Sequence, residues 1–329
     1  MRGIDLEVGF TLNRQSNMAT PVAVARIDKK LPFDTFGVTT KEFPNAISDA
    51  DWYGKGDSFA SFFDPVTSRI VIPQRQYSAT ALSVAHALGF VLGQASTAAG
   101  ITTLTFIDPD VTPEARYTSF LEKMGGVGTN LISGAVIEQA TLSGSLTDHV
   151  KLAWSGFARE AASSAAALPA QTSAMSAFFK TLCATFNFDG ADITGRVINW
   201  SIQFNQNPAQ WWLPGDSCNT LLKKAMIGKQ RVSGSISFLF EDTVQQNLFR
   251  TSDLIEPLTI TLAGTDGTSQ IVITIPHFKI SAESFSEEQD QVVYTLTFSD
   301  QTVLKKGADP YVSVAIKTPD DLSTLLVVA

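Results

Sequence analysis

Along residues 232–240 apolar and polar positions alternate: Val232, Gly234, Ile236, Phe238 and Phe240 share one parity, while Ser233, Ser235 and Ser237 take the other. A period of two puts the first set on a buried face and the second on an open one, so a half-buried strand is expected. Leu258, Ile260 and Leu262 alternate with Thr259 and Thr261; Gly264-Thr265-Asp266-Gly267-Thr268 then supplies turn chemistry, and Ile271, Ile273 and Ile275 resume the pattern as a hairpin. At Pro276-His277 the apolar phase slips by one, onto Phe278 and Ile280, which predicts a bulge or an edge position where proline is tolerated. The acidic stretch 283–290 is expected to turn the chain as a solvated loop, after which Val292, Tyr294, Leu296 and Phe298 form another apolar face. Between these strands Asp242 can cap a short helix reaching Arg250, with Val244, Leu248 and Phe249 on its apolar side.

The first half has a similar order. Ile70 and Ile72 alternate in a strand, a helix is expected over about 78–92, strand pattern returns at 101–107, and a turn at Ser143-Gly144-Ser145-Leu146 leads into the alternation of Val150, Leu152 and Trp154. Strand, helix, hairpin, strand in both halves predicts two related modules, although no residue-level repeat is visible. Between them, residues 161–176 (AASSAAALPAQTSAMS) break the alternation with Ala, Ser, Thr and Pro and read as a linker. The expected organisation is an N-terminal arm and β module over 1–160, the linker over 161–176, and a second module with a C-terminal segment over 177–329.

The 329 residues exceed the usual single-domain size, and 44% hydrophobic against 17% charged residues supports a packed core. A net charge of -8 has the wrong sign for gripping a phosphate backbone; the pairs Lys29-Lys30, Lys223-Lys224 and Lys305-Lys306 are scattered and read as solvated surface. The two cysteines, Cys183 and Cys218, lack metal-site or disulfide spacing and are expected to be free thiols. Residues 1–7 lack a secretion-signal pattern, which predicts a protein that starts in a cytoplasm. The longest mainly apolar run, residues 79–92, is too short for a membrane span.

Catalytic patterns are not apparent. His86, His149 and His277 neighbour no nucleophile motif; Ser143-Gly144-Ser145 and Ser233-Gly234-Ser235 are explained by turn and strand patterns; Gly125, Gly126 and Gly128 lack the rest of a nucleotide loop. No cofactor and no metal are expected, and Asn199-Trp200-Ser201 lies in a strand pattern rather than marking a glycan. Trp211-Trp212-Leu213-Pro214 either anchors an interface or plugs the core. Among Glu283, Glu287, Glu288 and Asp290, the glutamates Glu287 and Glu288 are candidates, with Trp211 and Trp212, for a subunit contact.

Three stretches resemble the bacteriophage tail tube (major tail) protein family: residues 49–60 (DADWYGKGDSFA), a Gly-Lys-Gly segment ahead of a strand and an Ala-rich helix; residues 132–160, a long strand, Gly-containing turn and strand ending near Gly-Phe; and residues 231–242 (RVSGSISFLFED), a strand-to-helix junction. The resemblance implies a mainly β fold of tandem β-sandwich or partial-barrel modules, each with a short helix. It implies rings stacked around a lumen through which DNA passes, in a virion tail assembled in the host cytoplasm. Expected partners are other copies of the chain, the tape measure protein and DNA in the lumen, and tail terminator and baseplate proteins, with no membrane. If both halves are tube modules, three chains supply six and give a pseudo-sixfold trimer; if one half is, a hexamer follows. An acidic lumen would repel DNA and let it slide, and the net charge has that sign. The alternatives are a baseplate hub or tail completion protein of the same fold, a carbohydrate-binding β-sandwich using Trp211, Trp212 and Tyr53, and an enzyme whose site, with His149 or Glu283, is assembled across subunits.

Overall fold

The structure, a computed structural model, describes residues 6–31, 35–36, 39–42, 46–47, 64–65, 69–124, 128–169, 178–212, 222–241, 247, 250–251, 254–288 and 291–328. The 49–60 stretch, Tyr53, Gly125, Gly126, Leu213, Pro214, Cys218 and Asp290 lie outside them. So do Val244, Leu248 and Phe249 of the expected second helix, of which Asn247, Arg250 and Thr251 are described and helical.

The chain is mainly β. A 13-stranded and a 7-stranded sheet face each other across the core. Ring contacts join them: Phe186 of the smaller sheet meets Trp200 of the larger at 6.1 Å, and Phe278 meets Phe188 at 5.7 Å and Phe298 at 5.1 Å. Gly144 permits the close approach, because a Cβ there would stand 2.7 Å from Trp200 Nε1 and collide with Thr181 Oγ1 of the smaller sheet.

Between the sheets lies the Ala81–Leu92 helix, whose twelve residues are all buried. It has no polar stripe because it has no solvent face, the pattern of a helix enclosed by protein. Its start is fixed by a capping box, with Ser83 N–H donating to Thr80 Oγ1 at 3.2 Å and Thr80 N–H to Ser83 Oγ at 2.9 Å. Its end is set by Gly93 at φ 81, a left-handed conformation that glycine adopts without a Cβ clash.

Within the large sheet one antiparallel path contains a repeat. Thr40–Glu42, Arg69–Ser78, Lys151–Ala158 and Gly128–Ser145 are neighbours in that order. They are followed without interruption by Val197–Asn205, Arg231–Leu239, Gln291–Phe298 and Ala282–Glu288. In each set of four, the chain order across the sheet is first, second, fourth, third. In each set the second strand leads towards helix: Ala81–Leu92 in the first, residues 247 and 250–251 in the second. A hairpin in the smaller sheet then follows, Gly93–Ala98 with Ile101–Phe106 in the first and Leu258–Gly264 with Gln270–Ile275 in the second. Ser313–Lys317 stands between the two hairpins, and Phe179–Phe188 with Ala191–Asp192 extends the sheet beyond Leu258–Gly264 to give seven strands.

Several local expectations need correction. The turn expected at residues 143–146 falls at 146–149, because Gly128–Ser145 is a single 18-residue strand. The expected linker does not start at 161: residues 161–164 belong to the Glu160–Ser164 strand, which pairs with residues 129–133. At Pro276-His277 the strand ends instead of bulging, and buried Phe278 makes isolated bridges to Ile255 and Val303. The acidic stretch is not a loop either. Ala282–Glu288 is a strand on the rim of the large sheet, where charged side chains are tolerated because one edge faces water.

Candidate assembly surfaces

Among the described residues the eight-strand path is unpaired at both ends. Among the described residues, Thr40–Glu42 pairs only with Arg69–Ser78, and Ala282–Glu288 only with Gln291–Phe298. Each end presents a row of backbone donors and acceptors that can take a further strand.

At the Ala282–Glu288 edge the core-facing side of the sheet outruns its cover. Phe285 packs on Tyr294 at 4.7 Å and on Phe240 at 5.3 Å, all on the parity that turns Leu296 and Phe298 into the core. Tyr294 is fully buried, yet Phe285 is 47% and Val292 48% exposed, so apolar surface continues past the edge of the sandwich. Glu283, half-buried on this side, accepts the Tyr294 hydroxyl; burial and that carboxylate raise the Tyr294 pKa. Glu287 is exposed beside Val292, and Glu288 is the strand's last residue.

The two tryptophans differ in burial. They lie in the Ala209–Trp212 strand, paired with Leu222–Met226. Trp212 packs on a small cluster containing Met18, Tyr117, Val136, Phe157 and Leu222, whereas Trp211 is 56% exposed opposite Lys224. Tyr117 ties this hairpin to the body: its hydroxyl donates to Glu114 at 2.7 Å and accepts from Ala225 N–H at 3.0 Å. The hairpin leaves the large sheet beyond the Asn205–Arg231 pair, while Glu287 and Val292 sit beyond the Leu239–Val293 pair. The two surfaces are therefore at opposite ends of the Arg231–Leu239 strand, about 25 Å apart along it.

The histidines are dispersed. His86 is a core residue, ringed by Phe10 at 4.5 Å, Phe90 at 5.3 Å, Phe120 at 5.6 Å and Trp154 at 6.2 Å, with neither ring nitrogen hydrogen-bonded. Burial lowers its pKa to about 3, which keeps it neutral. His149 is exposed beside Phe178, and His277 sits between Asp309 at 2.9 Å and Glu256 at 3.2 Å. Cys183 is an exposed free thiol. Among the described residues no group of three His, Cys, Asp or Glu is placed to hold a metal, and no helix is long and apolar enough to cross a membrane.

Sequence reasoning missed a buried ion pair. Arg75 Nη2 and Glu122 Oε2 meet at 2.7 Å with neither side chain exposed, Thr39 Oγ1 donates to the same oxygen at 3.0 Å, and the guanidinium lies 5.6 Å from the centre of the Trp154 ring. Burial lowers the Arg75 pKa and the carboxylate opposes that shift. The signal was parity: Glu122 alternates with buried Phe120, and Arg75 is followed two residues later by buried Tyr77.

A helix enclosed between two antiparallel sheets, open strand edges and exposed aromatics define the class as a β-sandwich with surfaces suited to joining other chains. The family model for phage tail tube proteins matches residues 49–299, and the chain belongs to that family. No curated protein matches it. The chain is accordingly a structural component of a phage tail, at home in the virion tail.

Proposed function

We propose that the chain is the repeating subunit of a tail tube, and that three copies close each ring. The observation that carries this reading is the eight-strand path made of two four-strand sets in the same order, with both edges unpaired among the described residues. On this reading the first tube module runs through Ser164, residues 165–176 join the modules, and the second begins at 177. Because eight antiparallel strands alternate in direction, the Ala282–Glu288 edge of one copy can meet the Thr40–Glu42 edge of the next in the antiparallel sense. Three chains bring twenty-four strands, and at ~4.8 Å per strand the wall is about 115 Å around, or about 37 Å across between backbones before strand tilt widens it.

Rings stack head to tail, with Trp211 and the Lys223-Lys224 hairpin at one end of a subunit facing Glu287, Glu288 and Val292 at the opposite end of the next. Different surfaces in contact make an open, growing assembly rather than a closed pair. The stack encloses a lumen for DNA and the tape measure protein, ends on terminator and baseplate proteins, and is built in the host cytoplasm. Assembly, with no chemical step at the described surfaces, is the function they serve.

Native mass spectrometry tests the ring. Species in steps of three 35.4 kDa chains are expected; steps of six would mean that each chain supplies one module, and isolated rings that never stack would favour a hub.

A further inference from the structure

The strands of the smaller sheet run across those of the larger. Phe179, which opens the Phe179–Phe188 strand, accepts from Val150 N–H at 2.8 Å beside Lys151–Ala158. Phe186 then meets Trp200, and Phe188 reaches Phe298 of Gln291–Phe298 through Phe278. Register carries this direction through the sheet. The row Ala263–Gln270–Lys317–Ile101 lies towards the Thr40–Glu42 edge, and the row Asn187–Thr259–Thr274–Ser313–Thr105 towards the Ala282–Glu288 edge. The Ile101–Phe106 strand therefore points one end at each edge of the chain, about 20 Å apart.

The two ends differ in shape. At the first, Ala99 at φ 51 and Gly100 at φ 76 make the tight two-residue turn that suits the twist of a hairpin. A Cβ on Gly100 would meet nothing within 4 Å, and Ile101 is 41% exposed, so the tip is small, apolar and projecting. Lys317 is exposed beside it. At the second end the described residues enclose a groove of about 580 Å³, with apolar surface from Phe106, Val232, Val303 and Tyr311. Its rim carries both signs, Asp108 and Asp110 as well as Lys229 and Lys305. The walls are tied in place: Gln230 Nε2 donates to the Ile107 carbonyl at 2.9 Å, and Arg231 meets Asp300 at 3.0 Å.

We propose that the Ala98–Ile101 tip of one copy seats in the groove beside Phe106 and Tyr311 of the next copy in the ring. A projecting tip and a groove at opposite ends of one strand are unlike surfaces, as a head-to-tail ring contact requires. Seating the tip brings Lys317 of one copy towards Asp108 and Asp110 of the other. The contact also supplies what the large sheet lacks. Thr40–Glu42 is three residues long, too short for main-chain pairing alone to specify register, and a slip of one residue would exchange the faces of the joined strand. A tip held in the outer layer fixes that register. The inference rests on the tube reading and names the second seam between neighbouring copies.

Cross-linking of assembled tubes tests it. In a Cys183→Ser, Cys218→Ser background, Ala99→Cys with Gln301→Cys puts one thiol on the tip and one at the groove. A short bis-maleimide is expected to join chains into a covalent series that closes at one ring, with neither single cysteine variant doing so. Tubes that form normally and give no cross-links, or a series that continues without limit from ring to ring, would overturn the inference while leaving the tube reading intact. Independently, Ile101→Asp is expected to raise the concentration at which tubes form by at least about tenfold, because an exposed contact residue is lost, with the melting temperature of the single chain within about 1–2 °C of wild type. Assembly at the wild-type concentration contradicts the inference. If the wild-type protein forms no tubes, the tube reading fails and the inference with it.

Discussion

His86 sits where a leucine would be ordinary, and its environment has a measurable consequence. Its pKa falls from 6.5 to about 3 through burial, so the unfolded chain takes up a proton that the folded chain refuses. Its contribution to stability is therefore complete above about pH 6.5 and is lost progressively as the pH falls towards 3, by up to on the order of 4–5 kcal/mol. Arg75 stands over the Trp154 ring that His86 also meets, and it is paired with Glu122. His86→Leu is expected to flatten the dependence of unfolding free energy on pH between 6.5 and 4; an unchanged slope in urea titrations would assign the acid sensitivity elsewhere. The Arg75–Glu122 pair has a different signature. Glu122→Ala strands a buried guanidinium and is expected to cost about 3–5 kcal/mol, whereas Arg75→Met with Glu122→Leu removes both charges and costs less than the single change. A double-mutant cycle in guanidinium denaturation measures this, and simple additivity would contradict it.

At the scale of elements, the two tryptophans separate folding from assembly. Trp212→Ala is expected to destabilise the monomer by about 2–3 kcal/mol because it empties a packed site. Trp211→Ala is expected to leave the melting temperature within about 1–2 °C of wild type while raising the concentration at which tubes form, because an exposed aromatic stabilises a contact and not the core. Equal effects on melting would return Trp211 to the fold. The strands at 232–240 and 258–275 were legible because each alternates cleanly with a period of two, and the helix ending at Leu92, apolar all round, was legible from the length of its apolar run. The acidic strand Ala282–Glu288 was not, since an edge strand carries charges that resemble a loop. The tryptophans' difference in burial was also hidden: adjacent residues in a strand point to opposite faces, but which face is covered depends on Tyr117 and Val136, distant in sequence.

For the molecule as a whole, the order strand, helix, hairpin, strand was visible along the chain, but the matching order across the sheet was not. That order depends on Gly128–Ser145 meeting Val197–Asn205 and so joining the two sets into one path. On the proposed tube reading, a chain joined in this way would carry two sixths of a ring, with both edges unpaired among the described residues; this is the central claim. Electron microscopy of the purified protein over a concentration series, with averages taken end-on, tests it most directly. Hollow stacked tubes whose end views show three chains and a pseudo-sixfold outline are the expected result; monodisperse single chains at the highest concentration would contradict it.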